Sequence, residues 1–355
     1  MTAVKISDYR YLAQQKISKE IFDFIEGGAC DEITRKNNRN AFDKVDIRPF
    51  CLRDVATIDS TAKLIGYPIP TPLLLAPTAF HQLVDASGEL STAKAAKSLG
   101  IPMVVSSMSN KPLEEIAAQS KHQQLWFQVY IFKERAITEE LVRRAEQAGY
   151  KAIVLTVGVP FSGKRERDIK NLFSLPKQLT TGNFKSNVNA EVIYDFTAAQ
   201  LDPSITWRDV EWLKTITPLP LILKGILNPL DAKEACQLNV DGIIVSNHGG
   251  RQLDTTEATL LALPDISKAV GGRTMILLDG GIERGTDIFK AIAWGADAVM
   301  LGRPVLWALA VDGERGVLTM LSMLISELEM AMKLAGCKTI KAVKDFGPHL
   351  RLRNF

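Results

Sequence analysis

The sequence predicts an α/β protein built as a (β/α)8 TIM barrel, and three observations predict it. A short run rich in branched apolar residues recurs from residue 72 onward, eight times in all. Segments with helical spacing separate the runs. The chain has 355 residues, more than one ordinary domain but a length that α/β barrels use as a single unit. The runs are PLLLAPTA (72–79), PMVVSS (102–107), LWFQVYI (125–131) and AIVLTV (152–157). They continue with PLILKGI (220–226), GIIVSNHG (242–249), TMILLDGG (274–281) and AVMLGRP (298–304). Continuous apolar runs, unlike alternating ones, suit strands covered on both faces in a parallel sheet. Eight strand-helix repeats close into a barrel. A Rossmann sheet is the competing arrangement, but no GxGxxG follows an early strand.

Residues 1–71 precede the repeat as an N-terminal helical and short-strand extension. A helix is expected at about 18–34, with strand-like pieces near 44–48 and 62–67, together capping the barrel's bottom or side. After the third run, Ile137, Leu141, Ala145 and Ala148 share one face of 137–149, and Arg143, Arg144 and Glu146 the other, which is amphipathic helical spacing. Residues 158–206, after the fourth strand, are rich in Lys, Asn, Ser, Thr and Gly and weakly periodic. A long loop inside a compact domain is usually functional or mobile, so this one is expected to be a partly disordered active-site lid. Asn228-Pro229 combines an N-cap with proline at the first helical position and opens a helix over 230–238. The expected organisation is a single domain over 1–355.

Composition removes several function classes. The net charge is +3, too balanced for the concentrated basic face that nucleic acid requires. The densest basic cluster, Lys164, Arg165 and Arg167, is interrupted by Glu166 and Asp168. Cys30, Cys51, Cys236 and Cys337 are scattered without CxxC spacing, and the four histidines are equally dispersed, so no metal site is expected. Isolated thiols fit a reducing compartment. The opening MTAVKISDYRYLAQQ lacks an apolar signal-peptide core. The apolar stretches 291–311 and 317–336 carry Asp297, Arg303, Glu327 and Glu329, which are wrong for a membrane span. A cytoplasmic protein without nucleic-acid or membrane partners is the expectation.

In such a barrel the active site lies at the C-terminal ends of the strands. Those ends carry a polar set that no core requires. Pro77-Thr78-Ala79 ends the first strand and Ser106-Ser107 the second; Gln128 and Tyr130 lie on the third, and Thr156 ends the fourth. Lys224 is on the fifth, Ser246 and His248 end the sixth, Asp279-Gly280-Gly281 the seventh and Gly302-Arg303 the eighth. The sixth continues as SNHGGRQLD (246–254), which sets His248 three residues before Arg251: a base beside an anion clamp. LDGGI (278–282) and LGRP (301–304) place glycine N–H groups at two adjacent helix starts, the barrel's usual phosphate site, and Arg303 adds a bidentate contact.

The order APTA, SS, QVY, TV, GKRERDIKN (163–171), LKG, SNHGGRQLD, LDGG and GRP resembles the FMN-dependent 2-hydroxy acid oxidases and dehydrogenases. That family includes glycolate oxidase, lactate oxidase, mandelate dehydrogenase and the flavin domain of flavocytochrome b2. The resemblance runs from about residue 5 to 340. It implies an FMN cofactor flanked by Pro77, Thr78 and Ala79. Ser106, Gln128 and Thr156 would bond the ring or ribityl chain. Lys224 would place positive charge beside the ring, with Ser246 in the same cofactor-binding set. Asp279, Gly280, Gly281, Gly302 and Arg303 belong to the phosphate end. The resemblance further implies that Tyr130, Arg165 and Arg251 contact an anionic small-molecule substrate, with Phe24 beside them, and that His248 is the catalytic base. An unperturbed imidazole pKa of about 6.5 suits that task at neutral pH. Two electrons reach the flavin as hydride or through a carbanion; both routes stay open.

Three residues depart from the family pattern. Phe24 stands where the family carries a tyrosine whose hydroxyl helps hold the substrate carboxylate. Gly158, in TVGVP, stands where an aspartate pairs with the catalytic histidine. Glu283 stands where an arginine is common near the phosphate, and the adjacent Arg284 is expected to substitute for it. Phe24, Phe80, Met108 and Phe161 are expected around the substrate and would shape a pocket for a bulky or aryl acid. The implied reaction takes a 2-hydroxy acid to the 2-oxo acid, with O2 or another electron acceptor and H2O2 as the product of the former, in a homotetramer or octamer. Two alternatives stay open because of Phe24 and Gly158: altered oxidation chemistry on a specialised metabolite, or a weakly active FMN-binding protein.

Overall fold

Eight parallel strands close on themselves in a computed structural model that describes residues 2–120, 124–184 and 199–353. The chain opens with helices α1 (Ile6–Lys16), α2 (Lys19–Glu26) and α3 (Ile33–Asp43). Strand β1 (Val45–Ile47) and the hairpin β2 (Ala62–Leu64) and β3 (Tyr67–Ile69) follow. The first half of the barrel is β4 (Leu73–Leu75), α4 (Glu89–Ser98), β5 (Met103–Ser106), α5 (Leu113–Gln119), β6 (Leu125–Val129), α6 (Arg135–Gln147) and β7 (Ile153–Thr156). A short helix α7 (Glu166–Lys170) interrupts the long loop before α8 (Trp207–Ile216). The second half is β8 (Leu221–Ile226), α9 (Pro229–Gln237), β9 (Gly242–Val245), α10 (Thr259–Val270), β10 (Met275–Asp279), α11 (Gly285–Ala293), β11 (Ala298–Leu301) and α12 (Arg303–Ala335). Helix α13 (Ile340–Lys344) leads to β12 (Leu350–Leu352), which pairs antiparallel with β1.

The predicted runs became strands because both faces of each are covered. Outward residues such as Leu73, Leu75, Val105 and Phe127 pack under the helices. Inward residues Leu74, Val104, Trp126, Val154, Ile222, Ile244, Leu277 and Met300 fill the barrel as a second core. Closure comes from β11 against β4, with Val299 opposite Leu73. The β8–β9 register shifts between Lys224 and Ile226, and Gly225 sits there at φ 119°. Asn228 caps α9 as predicted, accepting from Leu230 N at 2.9 Å.

The N-terminal extension divides between the two ends of the barrel. Its hairpin matches the expected bottom cap, because Leu64 and Ile69 pack against the barrel's inner core. Removing that plug leaves a cavity, so Ile69→Ala is expected to lower the unfolding free energy by about 2–5 kcal/mol in urea denaturation. A loss below about 1 kcal/mol would show that the hairpin is no part of that core.

The single helix expected over 18–34 is instead two. Helix α2 stops at Glu26, and Cys30 and Glu32 take left-handed φ values of 49° and 59° before α3 begins. The break frees the carbonyls of Phe24, Ile25 and Gly27, and arginines from the far side of the chain take them. Helices α2 and α3 therefore cover the C-terminal mouth, not the bottom or side. The Asn38 and Asn247 side-chain amides hold α3 there by a reciprocal pair of hydrogen bonds, both 2.8 Å.

The loop after β7 also lies over the mouth. Arg167 reaches Asp23 and Glu32, and Asn171 reaches Asp23, which ties α7 to α2. Residues 185–198 of the expected disordered lid lie outside the described residues. Among the described residues, no helix is long and apolar enough to cross a membrane.

Candidate active site

A cavity of about 650 Å³ opens at the C-terminal mouth, within the range usual for ligand and cofactor pockets. The polar strand ends converge on it. Pro77, Thr78 and Ala79 follow β4, Ser106 ends β5, Gln128 lies on β6, Tyr130 follows it, and Thr156 ends β7. Lys224, His248, Arg251, Asp279, Gly280, Gly281, Gly302 and Arg303 complete the wall, and Phe24 and Arg165 close it from the two capping segments. Ser246 sits just behind the wall. Its hydroxyl accepts from Lys224 Nζ at 2.9 Å and from His248 N at 3.1 Å.

Two polar relays fix donor and acceptor directions along the wall. The Gln128 amide donates through Nε2 to Thr156 Oγ1 at 3.0 Å, while its Oε1 accepts from Ser106 Oγ and Ser107 N, each at 3.3 Å. The buried ammonium of Lys224 pairs with Asp279 Oδ2 at 2.9 Å, and Asp279 Oδ1 stays buried without a partner. At the turn after β10, Gly280 and Gly281 take φ 97° and 80°. A Cβ on Gly281 would lie 2.1 Å from Asn38 O, so only glycine lets α3 close on this turn.

Arginines dominate the mouth. Arg303, at the first turn of α12, donates to Ile25 O, Gly27 O and Gly249 O at 2.9, 2.7 and 2.8 Å. It forms no ion pair among the described residues, and burial, followed by the nearby Arg251, pushes its pKa down. Arg251 Nη1 donates to Phe24 O at 2.7 Å and Gly27 O at 3.0 Å, and its guanidinium lies 5.3 Å from the Phe24 ring centroid. Phe24 stacks in turn on Phe173 at 4.5 Å. Arg165 is paired with Asp168 at 2.9 Å, where burial raises the acid's pKa against the opposing pull of Arg251 and Arg165.

His248 occupies the left-handed region at φ 55°. Its Nδ1 is buried without a partner, which leaves Nε2 as the ring nitrogen toward the cavity. Burial moves its pKa well below the usual imidazole value, and Lys224, Arg251, Arg165 and Arg303 push it further the same way. Gly158 supplies no carboxylate to oppose them. Its Cα face lies against Gly225, where an added Cβ would stand 3.0 Å from Gly225 Cα.

The structure corrects two expected positions and adds others. Phe161 does not line the cavity; it is 81% exposed, and its carbonyl accepts from Gln252 Nε2 because the loop turns outward there. Arg284 turns away to Glu327 at 2.7 Å, so it does not replace an arginine at 283, and Glu283 itself lines the cavity. Phe24, Phe80 and Met108 do line it. Leu201 was not foreseen. It reaches the wall from the far limb of the long loop, held by a β-bridge to Phe132. Arg10, Arg35, Asn38 and Arg39 arrive from α1 and α3, and no local pattern in the sequence marks them.

A helix N-terminus with an anion-free arginine, and a buried imidazole between cations, define a barrel enzyme for an anionic small molecule beside a phosphate-bearing cofactor. Comparison with known proteins makes the class specific. The family model for FMN-dependent dehydrogenase matches residues 13–347. L-lactate oxidase of Nostoc sp. is 46% identical, with 98% of each chain covered. Glycolate oxidase of Spinacia oleracea is 44% identical over 97% of this chain and 95% of its own. A crystal structure of mandelate oxidase superposes with a TM-score of 0.92 at 41% identity, over 99% of both chains.

The chain belongs to the FMN-dependent dehydrogenase family, and its cofactor is FMN. The residues present fit that group. Arg303 and the α12 N-terminus offer an anion site, and the Gln128 and Lys224 relays offer donors along the wall. The 280–281 turn keeps the backbone bare where the phosphate end closes.

Proposed function

We propose that the protein oxidises a 2-hydroxy acid with a bulky apolar or aryl group to the 2-oxo acid, passing electrons through FMN to O2. The observation that carries this reading is His248 beside Arg251 and Arg165 on one cavity wall, with no carboxylate among the causes of its lowered pKa. FMN supplies the two-electron acceptor. Arg251 and Arg165 attract the substrate carboxylate and hold its Cα in place. His248 is neutral at pH 7 and takes a proton at Nε2. Lys224, paired with Asp279, lies on the neighbouring strand and reaches the same Ser246 hydroxyl that holds the His248 N–H.

The apolar wall of Phe24, Met108 and Leu201, together with the likeness to mandelate oxidase, supports an aryl substrate. The likeness to two enzymes named oxidases, and the small Ala79 at the wall, support O2 as acceptor. Steady-state assays over a panel from glycolate to mandelate test both points. Mandelate-sized acids are expected to exceed glycolate in kcat/KM by about tenfold or more, in line with what a few buried methylenes discriminate, and one H2O2 should form per acid. A preference for glycolate would reject the aryl pocket, and turnover without H2O2 would reject O2.

A second reading, altered oxidation chemistry on a specialised metabolite, is favoured by the orphaned His248 Nδ1 and the missing Phe24 hydroxyl. Bound FMN that no 2-hydroxy acid reduces would favour it over the first.

A further inference from the structure

The loop after β10 places an acid at the end of the cavity that receives the cofactor phosphate, a role for that end that rests on the FMN assignment. Glu283 lines that wall between Gly281 and the start of α11, and its carboxylate has no partner among the described residues. Four charged groups face it: Arg10 on α1, Glu26 at the end of α2, Arg39 on α3 and Asp287 on α11. The cations among them are already committed. Arg39 donates to Gly281 O at 2.8 Å, to Asp287 and to Asp43. Arg10 pairs at 3.1 Å with Glu26, which Arg35 also holds. Arg284 has turned to Glu327.

A phosphate held by Arg303 and the 280–281 turn therefore meets in Glu283 a carboxyl group that no cation pairs among the described residues. Two anions sharing a partly desolvated site do not both stay charged at ordinary pH; the one with the higher pKa takes a proton. Burial already raises the Glu283 carboxyl, with Asp287 and Glu26 adding to the rise and Arg39 opposing it.

We propose that FMN loading is proton-coupled at Glu283: its carboxyl group and the cofactor phosphate bind with one proton held between them, taken from the solvent when neither group already carries it. That proton makes a hydrogen bond between the two groups in place of a contact between two anions. At pH below the carboxyl's pKa the proton is already present and affinity is unaffected. As pH rises through that pKa, FMN affinity falls, and riboflavin, which lacks the phosphate, is spared.

Calorimetric titration of the full chain, freed of FMN, with FMN and with riboflavin tests this at about pH 5.5 and about pH 8.5. Glu283→Gln is expected to bind FMN about tenfold or more tightly than the wild type at the higher pH, the effect of one pKa unit. At the lower pH the gap should be smaller by about threefold or more. The phosphate's own second ionisation, at about pH 6, is present in both proteins, so a pH effect on FMN affinity that Glu283→Gln leaves in place belongs to the phosphate alone. Riboflavin should bind both equally at both pH values, and Glu283→Ala should behave as Glu283→Gln does. A wild-type-to-variant ratio that is the same at both pH values overturns the proposal. So does a riboflavin gap that tracks the FMN gap. FMN binding by none of the proteins at either pH rejects the cofactor assignment itself, a different result from either.

Discussion

Replacing His248 with asparagine is expected to lower kcat/KM by about 10²- to 10⁴-fold, the usual contribution of a positioned general base, while FMN stays bound. Asparagine suits the test because it tolerates the left-handed backbone that His248 occupies at φ 55°. The turn and the Ser246 contact to the residue's N–H at 3.1 Å then survive. Arg251 and Arg165 remain, so the substrate carboxylate still has its clamp and KM should change less than kcat. FMN content from flavin absorbance and rates from O2 consumption give both readouts. A variant that keeps its flavin and loses less than about tenfold in rate would place the base elsewhere.

Gly158→Asp is expected to raise the rate by about 10- to 100-fold. By the family resemblance an aspartate at this position pairs with the histidine, and His248 Nδ1 is buried without a partner. A hydrogen bond to a charged group contributes about 1.5–3 kcal/mol, which is about that factor if it acts only as the imidazolium forms. The pH profile separates this cause from a general change. The base must be neutral, so activity is lost as pH falls through its pKa. In the wild type, burial and four neighbouring cations hold that pKa well below the usual value, so the acid limb lies below about pH 6.5. The aspartate favours the charged imidazole and moves the limb to higher pH. The new Cβ stands 3.0 Å from Gly225 Cα, so β8 must yield by a few tenths of an ångström at its bulge. Thermal denaturation alongside shows whether the fold tolerates it. A folded variant with the wild-type rate and the wild-type acid limb would mean that the orphaned nitrogen does not limit His248.

The barrel was legible because its strands are covered twice. Leu73 and Leu75 face the helices while Leu74 faces the barrel interior, so an unbroken apolar run was the correct signal. Most site residues were legible for a related reason: Lys224, His248 and Asp279 are polar groups at the ends of otherwise apolar runs. What stayed hidden depends on distant chain segments. Helical spacing continued past Gly27-Gly28, yet α2 stops at Glu26, and Arg251 and Arg303, more than two hundred residues away in sequence, take the carbonyls this break leaves free. Leu201 and Phe161 lie in one aperiodic loop, and the bridge to Phe132 brings the first inward while the second turns to solvent. Arg284 had the right charge one residue from the expected place, but a helix start separates adjacent side chains, and Glu327 holds it outside.

This cavity is expected to oxidise a 2-hydroxy acid on FMN with His248 as an unassisted base. Anaerobic mixing of the holoenzyme with mandelate, followed by flavin absorbance in a stopped-flow instrument, addresses it most directly. The predicted result is full bleaching of the bound FMN in a single turnover, at a rate that declines only below about pH 6.5 and that His248→Asn lowers by about 10²- to 10⁴-fold. FMN that stays oxidised with mandelate, lactate and glycolate alike, in protein whose flavin is fully bound, would contradict it.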